Sequence, residues 1–165
     1  MFLSAFFLLL SLPFSAVAPS PPPFSPTHAG QRLPHHEARL GTHPLRIMLA
    51  RSLEEKMQGL MYFTHLDQDE GMLFVYPQTQ RMAFWMKNTL IPLDLVFFNE
   101  RLQVTEWIEG MQPGGQKPDH ALPRYTSRGP ARYALELSEG SVRRLGIQSG
   151  QQLDIPLVLL FSGEP

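Results

Sequence analysis

Apolar residues fall in short bursts along this chain, and where they alternate with polar ones the period is two rather than 3.6. Leu45 to Ala50 is a brief apolar burst that reads as a strand. It leads into Ser52, placed to cap a helix, with Glu55 three positions on to reach back to the cap. Leu53, Met57 and Leu60 then share one helical face and are expected to point inward, while Gly59 keeps the helix short. Gly71 to Tyr76 reads as a buried strand stopped by Pro77, and Met82 to Met86 as another. Leu93, Leu95 and Phe97 alternate with Asp94, Val96 and Phe98, and after Asn99-Glu100-Arg101 the chain resumes as Leu102, Val104, Glu106 and Ile108. This predicts a hairpin in which Leu93, Leu95 and Phe97 share a face with Leu102, Val104, Glu106 and Ile108, so that Glu106 points where apolar neighbours point. Gln112 to Ser127 is a long loop rich in Pro and Gly.

In the strand Ala131 to Leu137, Tyr133, Leu135 and Leu137 take one face and Glu136 looks the other way. A second short helix follows, with Ser138 as its cap, Val142 and Leu145 inward, Arg143 and Arg144 at its end and Gly146 as terminator. Leu153 to Phe161 closes the pattern as a strand whose Pro156 places it at an edge or bulge. Six or seven strands and two short helices predict a mainly β fold (α+β at the margin), an antiparallel β sandwich or half-open barrel. No helix is long enough to suggest a parallel crossover.

Ahead of this unit the pattern changes twice. Phe2 to Leu12 is an almost unbroken apolar run, and Ala16-Val17-Ala18 supplies the small-x-small pattern of a signal-peptidase site, so residues 1–18 read as a signal peptide. The run is too short, and Pro13 too close, for a membrane span. Export to the periplasm or the extracellular space is the expectation, with no stable membrane insertion after processing. Residues 19–44 carry seven of the sixteen prolines among Ser, His, Gln and Gly and read as a disordered leader, leaving residues 45–165 as one folded domain. His28, His35, His36 and His43 lie in that leader, and histidines on a flexible chain can bind a transition metal such as copper, against the plainer reading of a polar tail.

Composition narrows the chemistry. The absence of cysteine removes disulfides, thiolate metal sites and a cysteine nucleophile. With 14 basic against 15 acidic side chains, a net charge of -1 supplies no global field for nucleic acid, and no nucleic-acid partner is expected. No phosphate loop, dinucleotide fingerprint or nucleophile elbow appears, so no cofactor is expected either. The densest polar set is Trp85-Met86-Lys87-Asn88-Thr89 with Asp94 five residues on. If Phe84 and Met86 face one way, Trp85 and Lys87 face the other, setting an aromatic plane beside a cation with the Asn88 amide nearby. Trp85, Lys87, Asn88 and Asp94 are therefore the candidate ligand-binding residues for a small polar or anionic ligand. The competing reading pairs Lys87 with Asp94 as a brace and buries Trp85 in the core.

Asp94 and Glu106 are candidate bases for an enzyme acting on a small polar substrate, although strand alternation sends the two carboxylates to opposite faces. Ser127 and Ser138 are the hydroxyls a Ser-His-Asp arrangement would draw on. Met57, Met72 and Met86 sit where core residues are due. Arg124, Arg128 and Arg132 read as a solvated rim, or as the mouth of an anion site should the long loop fold over Lys87.

Arg51 through Gly59-Leu60-Met61, then Gly71-Met72-Leu73-Phe74, Phe84-Trp85-Met86-Lys87-Asn88-Thr89, Ile91-Pro92-Leu93-Asp94, Leu135-Glu136, Gly140, Gly146-Ile147 and Gly150 together resemble the bacterial and archaeal family called domain of unknown function 192 (DUF192). The resemblance spans nearly the whole folded unit. It implies a small, mainly β domain, often made with an export signal, and no activity. Gln151 stands where an Asp is common in that family. The reading of the sequence is an exported binding or accessory module, with a cell-envelope enzyme and a copper-binding leader as alternatives.

Overall fold

The computed structural model describes residues 30–161. The strands are β1 (His35–Leu40), β2 (His43–Ala50), β3 (Glu70–Gln80), β4 (Ala83–Phe84), β5 (Leu93–Phe98), β6 (Val104–Met111), β7 (Tyr125–Thr126), β8 (Ala131–Ser138) and β9 (Leu153–Asp154); the helices are α1 (Leu53–Gln58), α2 (Ser141–Arg144) and α3 (Val158–Phe161). Seven strands form one curled sheet in the order β6-β5-β8-β3-β2-β1-β9, and β4 pairs with β7 separately. The mainly β half-barrel expected from the sequence is what forms. Its two edges meet where the Leu153 N–H donates to the Leu102 carbonyl and the Val104 N–H to the Gln151 carbonyl, both at 2.9 Å.

Two expectations about connectivity fail. β2 and β3 pair in parallel, and the crossover is made by the six-residue α1 with its flanking loops, so a short helix suffices where the loops supply the remaining length. The leader is also shorter than expected, because β1 and β2 place residues 35–44 within the sheet. His35, His36 and His43 are thus strand residues, with His35 Nε2 3.4 Å from Glu70, rather than members of a flexible metal-binding tail. His28, most of the leader and the signal-peptide reading lie outside the described residues. Among the described residues no cluster of His, Asp and Glu suited to a metal ion forms, and no helix is long and apolar enough to cross a membrane.

Apolar side chains cover both faces of the sheet. On one face Ile47, Leu49, Leu73, Val96, Phe98, Leu135 and Leu137 join Val142 of α2 and Leu145 just after it. On the other Met48, Met72, Phe74, Leu93, Leu95 and Phe97 join Leu60, Phe84 and Met86 from the connections. Two buried faces explain why β5 is buried at every position and why alternation alone cannot say which face is the interior.

Local chemistry explains the elements that were legible and the ones that were not. α1 carries the full capping box, the Ser52 hydroxyl accepting from the Glu55 N–H at 3.1 Å while the Glu55 carboxylate accepts from the Ser52 N–H at 2.8 Å. Of the face expected to point inward, Leu60, just past the helix, is buried at 2%, whereas Leu53 is 73% and Met57 64% exposed. The helix is held instead by polar contacts, the Lys56 ammonium donating to the Arg51 and Val75 carbonyls and the Gln31 amide to the Glu55 and Gly59 carbonyls. In the hairpin the Asn99 carboxamide oxygen accepts from the Arg101 and Gln103 N–H groups, and a register shift at Phe97/Phe98 follows. Glu106 and Ile108 therefore lie opposite Phe97 and Leu95 as expected, whereas Leu102 and Val104 pass to the other face. Pro77 does not stop β3, which continues through an irregular stretch to pair Gln80 with Ala131. Pro156 does end β9, and residues 158–161 turn helical instead of extending.

Candidate functional site

The segment after β4 leaves the sheet in an extended path that buries Phe84 and Met86 and turns Trp85 and Lys87 to a half-buried position, as strand alternation requires. Close approach of the long loop fixes it, since the Gly114 N–H donates to the Met86 carbonyl and a side chain at Gly114 would stand 2.5 Å from that oxygen. Asn88 holds the left-handed conformation at φ 52°, which an Asn tolerates, and is bound on both sides to Tyr62: its carbonyl accepts from the Tyr62 N–H at 2.9 Å and its amide donates to the Tyr62 hydroxyl at 2.8 Å. Thr89 is buried beside them and donates to the Lys87 carbonyl.

The long loop folds over this segment. Lys87 Nζ lies 2.6 Å from Asp119, in a 3₁₀ turn of the loop (Asp119–Ala121), and 5.2 Å from the Trp85 ring, while the Arg124 guanidinium lies 4.3 Å from the same ring. Trp85 is thus flanked by two cations. Arg128 is drawn elsewhere, to Glu106.

Asp94 does not belong to this group. It lies on the opposite face of the sheet, fully buried, where its two carboxylate oxygens accept from the Gly110 and Val142 N–H groups, each at 2.9 Å. Val142 is in the first turn of α2, so Asp94 supplies from β5 the helix cap expected of Ser138; the residue at the cap position itself is Gly140, with φ 82°. The expected Lys87–Asp94 brace is absent, because the pairing partner of Lys87 is Asp119. Glu106 is likewise engaged. Burial pushes its carboxyl up, but hydrogen bonds from the Gly129 N–H and from Arg128 outweigh that and hold it below the usual carboxylate range. Neither carboxylate is placed as a base facing a cavity. Ser127 binds the backbone of Met82, and Ser138 lies 3.3 Å from Ser141, so each hydroxyl has a structural partner.

The residue the sequence reading passed over is Glu136. It is 4% exposed, on β8 between Met72 of β3 and Leu95 of β5, on the face away from Leu135 and Leu137 as alternation requires. No described residue donates a hydrogen bond to its carboxyl, and burial alone pushes it up to about 8. Burial and the nearby Glu136 charge together raise the Tyr76 phenol. Glu136 forms the floor of a cavity of about 30 Å³, whose walls include Lys56, Met57, Trp85, Lys87 and Thr89. A cavity of that size admits one or two water-sized groups. A charged residue between two leucines was the available signal. Its meaning depended on both sheet faces being covered.

A larger cavity, about 860 Å³, opens where the sheet edges approach, over Leu45, Leu102, Leu153 and Ile155. Its rim mixes Glu37, Arg39, Glu100 and Arg101, all solvent-exposed, so it offers volume without a desolvated group to select a ligand.

The DUF192 family, described as uncharacterized ACR, matches residues 36–155. No curated protein matches the chain. Among solved structures, a protein of Sinorhizobium meliloti 1021 described as a candidate transcription regulator is 34% identical over 76% of this chain and 97% of its own, with a TM-score of 0.68. A protein of unknown function from Novosphingobium aromaticivorans DSM 12444 is 31% identical over 85% of this chain and 94% of its own, with a TM-score of 0.67. The family match covers most of the folded unit and includes every residue of the site around Trp85 and Glu136, and the chain belongs to the DUF192 family.

Proposed function

We propose that this domain is an exported binding or accessory module that takes a small polar or anionic ligand in the cleft between α1 and the Trp85–Thr89 segment. Trp85 and Lys87 keep the ligand-binding role read from the sequence, Asn88, engaged by Tyr62, holds the segment in place instead, and Glu136 takes the part first given to Asp94. One observation carries the reading: a carboxyl only 4% exposed, to which no described residue donates a hydrogen bond, faces a cavity walled by two lysines and a tryptophan. A nearly buried carboxyl that lacks a donor from the described residues keeps hydrogen-bonding capacity that a bound ligand can use. The apolar run and the Ala16-Val17-Ala18 pattern support export.

The test is a thermal-shift screen of the full chain against sugars, nucleotides, organic acids, amines and metal ions, because a ligand that binds only the native state raises Tm by mass action. A hit abolished in both Glu136→Gln and Lys87→Met supports the site. A hit that survives both variants, or no hit in the panel, refutes it.

A further inference from the structure

We infer that the group recognised at the floor of this cleft is a carboxylate, carried by a small organic acid, which accepts a hydrogen bond from the Glu136 side chain while Lys87 exchanges Asp119 for it. The inference rests on the binding-module reading and adds the ligand's chemical class.

The rim already displays the chemistry. Lys87 holds a carboxylate oxygen, that of Asp119, at 2.6 Å beside the Trp85 ring. That pair is exposed, 34% for Lys87 and 54% for Asp119, and exposed ion pairs hold weakly enough to be exchanged. The floor supplies the complementary donor. A neutral carboxylic acid has one O–H to give, and Glu136 stays neutral because burial disfavours its charge. A carboxylate at the floor therefore meets a donor below and an ammonium at the rim.

A competing class fits less well. A cation would need Glu136 ionised in a site whose charged neighbours, Lys56 and Lys87, are both positive. The titratable and charged groups facing Glu136 are Lys56 of α1, Tyr76 of β3 and Lys87 of the Trp85–Thr89 segment; β5 contributes the apolar Leu95.

The experiment is an NMR titration of the ¹⁵N-labelled full chain with acetate and lactate, and separately with phosphate, acetamide and methylammonium, at constant ionic strength from pH 6 to 9. The expected result is saturable shifts at Trp85, Thr89 and Glu136 with the two carboxylates alone. Affinity should be level up to about pH 7 and about tenfold lower by pH 9, one unit above the point where Glu136 ionises. Glu136→Gln keeps a donor and loses the titration, so its affinity should stay level across that range. Lys87→Met should weaken acetate at least tenfold. The parent's own pH profile needs no variant, and it decides the matter even where Glu136→Gln does not fold. Carboxylate binding that is level or strengthens toward pH 9 in the parent overturns the inference. Shifts with phosphate, acetamide or methylammonium but not with acetate overturn the carboxylate and leave the binding module standing. No shift with any of the five overturns the carboxylate inference, and the binding-module reading then stands or falls by the thermal-shift screen.

Discussion

Replacing Glu136 by Gln should change how stability depends on pH more than it changes stability at any one pH. The Glu136 carboxyl rises from an ordinary 4.5 to about 8 in the folded protein. That is a shift of about three and a half units, and at about 1.36 kcal/mol per unit it amounts to about 5 kcal/mol. The sign follows from which state holds the proton. Between about 4.5 and 8 the native protein keeps a proton that the unfolded chain has released, so the stability linked to this group is complete below about 4.5 and falls as pH rises through that window. Gln has no proton to lose. Glu55 and Glu106, which are held below the usual range and act in the opposite sense at acid pH, are common to both proteins and cancel in the difference. Urea unfolding of the parent and Glu136→Gln at pH 5, 7 and 9 measures it. The parent should lose about 2.5 kcal/mol relative to the variant between pH 5 and 7, and about 4 by pH 9, with unchanged m-values. Parallel profiles within about 0.5 kcal/mol would show that Glu136 is ionised or solvated in the native state, and the argument for the site would fall with that result.

Three other perturbations separate structural from ligand-binding roles. Asp94→Ala leaves the Gly110 and Val142 N–H groups without their acceptor, each costing about 1–3 kcal/mol, and should lower unfolding free energy in urea by about 2–6 kcal/mol; a loss below 1 kcal/mol would mean these amides find other partners. Lys87→Met breaks an exposed pair and should shift stability by less than about 1 kcal/mol by thermal melt while abolishing any ligand-induced rise in Tm. Outright unfolding of that variant would make Lys87 a brace after all. Leu53→Ser and Met57→Ser should each stay within about 0.5 kcal/mol of the parent in urea, whereas a loss of 2 kcal/mol or more at either would mean that the α1 face is buried after all.

The sequence revealed what local rules control. The capping box at Ser52 and Glu55, the inward Val142 and Leu145, and the alternation of Phe84 and Met86 with Trp85 and Lys87 all depend on neighbours within a few residues. Where distant contacts decide, the pattern misled. Leu53 and Met57 keep helical spacing, but among the described residues α1 is tied down through backbone carbonyls, and of its apolar stripe Leu60 alone is buried. His35, His36 and His43 sit in proline-rich sequence, yet pairing of β1 with β2 draws them into the sheet. Pro44 does not prevent this pairing. Lys87 and Asp94 are seven residues apart with alternating strand between, and only the position of Asp119 in the long loop shows which carboxylate Lys87 meets.

Asp94, Glu106 and Glu136 occupy neighbouring strands of one sheet, and each is less than one-tenth exposed. Their sequence contexts are alike, so burial does not separate them; the supply of donors does. The face that carries Asp94 is covered by α2 end-on, and the start of a helix offers unpaired N–H groups, one of which, on Val142, the carboxylate takes. Glu106 finds the Gly129 N–H and the Arg128 guanidinium. Glu136 meets α1 at its other end, through Lys56 to Leu60, where a helix offers carbonyls rather than N–H groups. The Ser52 and Glu55 N–H groups at the start of α1 are already taken by its own capping box. The end of α1 that lines this cavity therefore gives Glu136 no helix-start N–H, and its carboxyl, kept protonated by burial, faces the cavity that Lys87 and Trp85 also line, where a ligand can meet it.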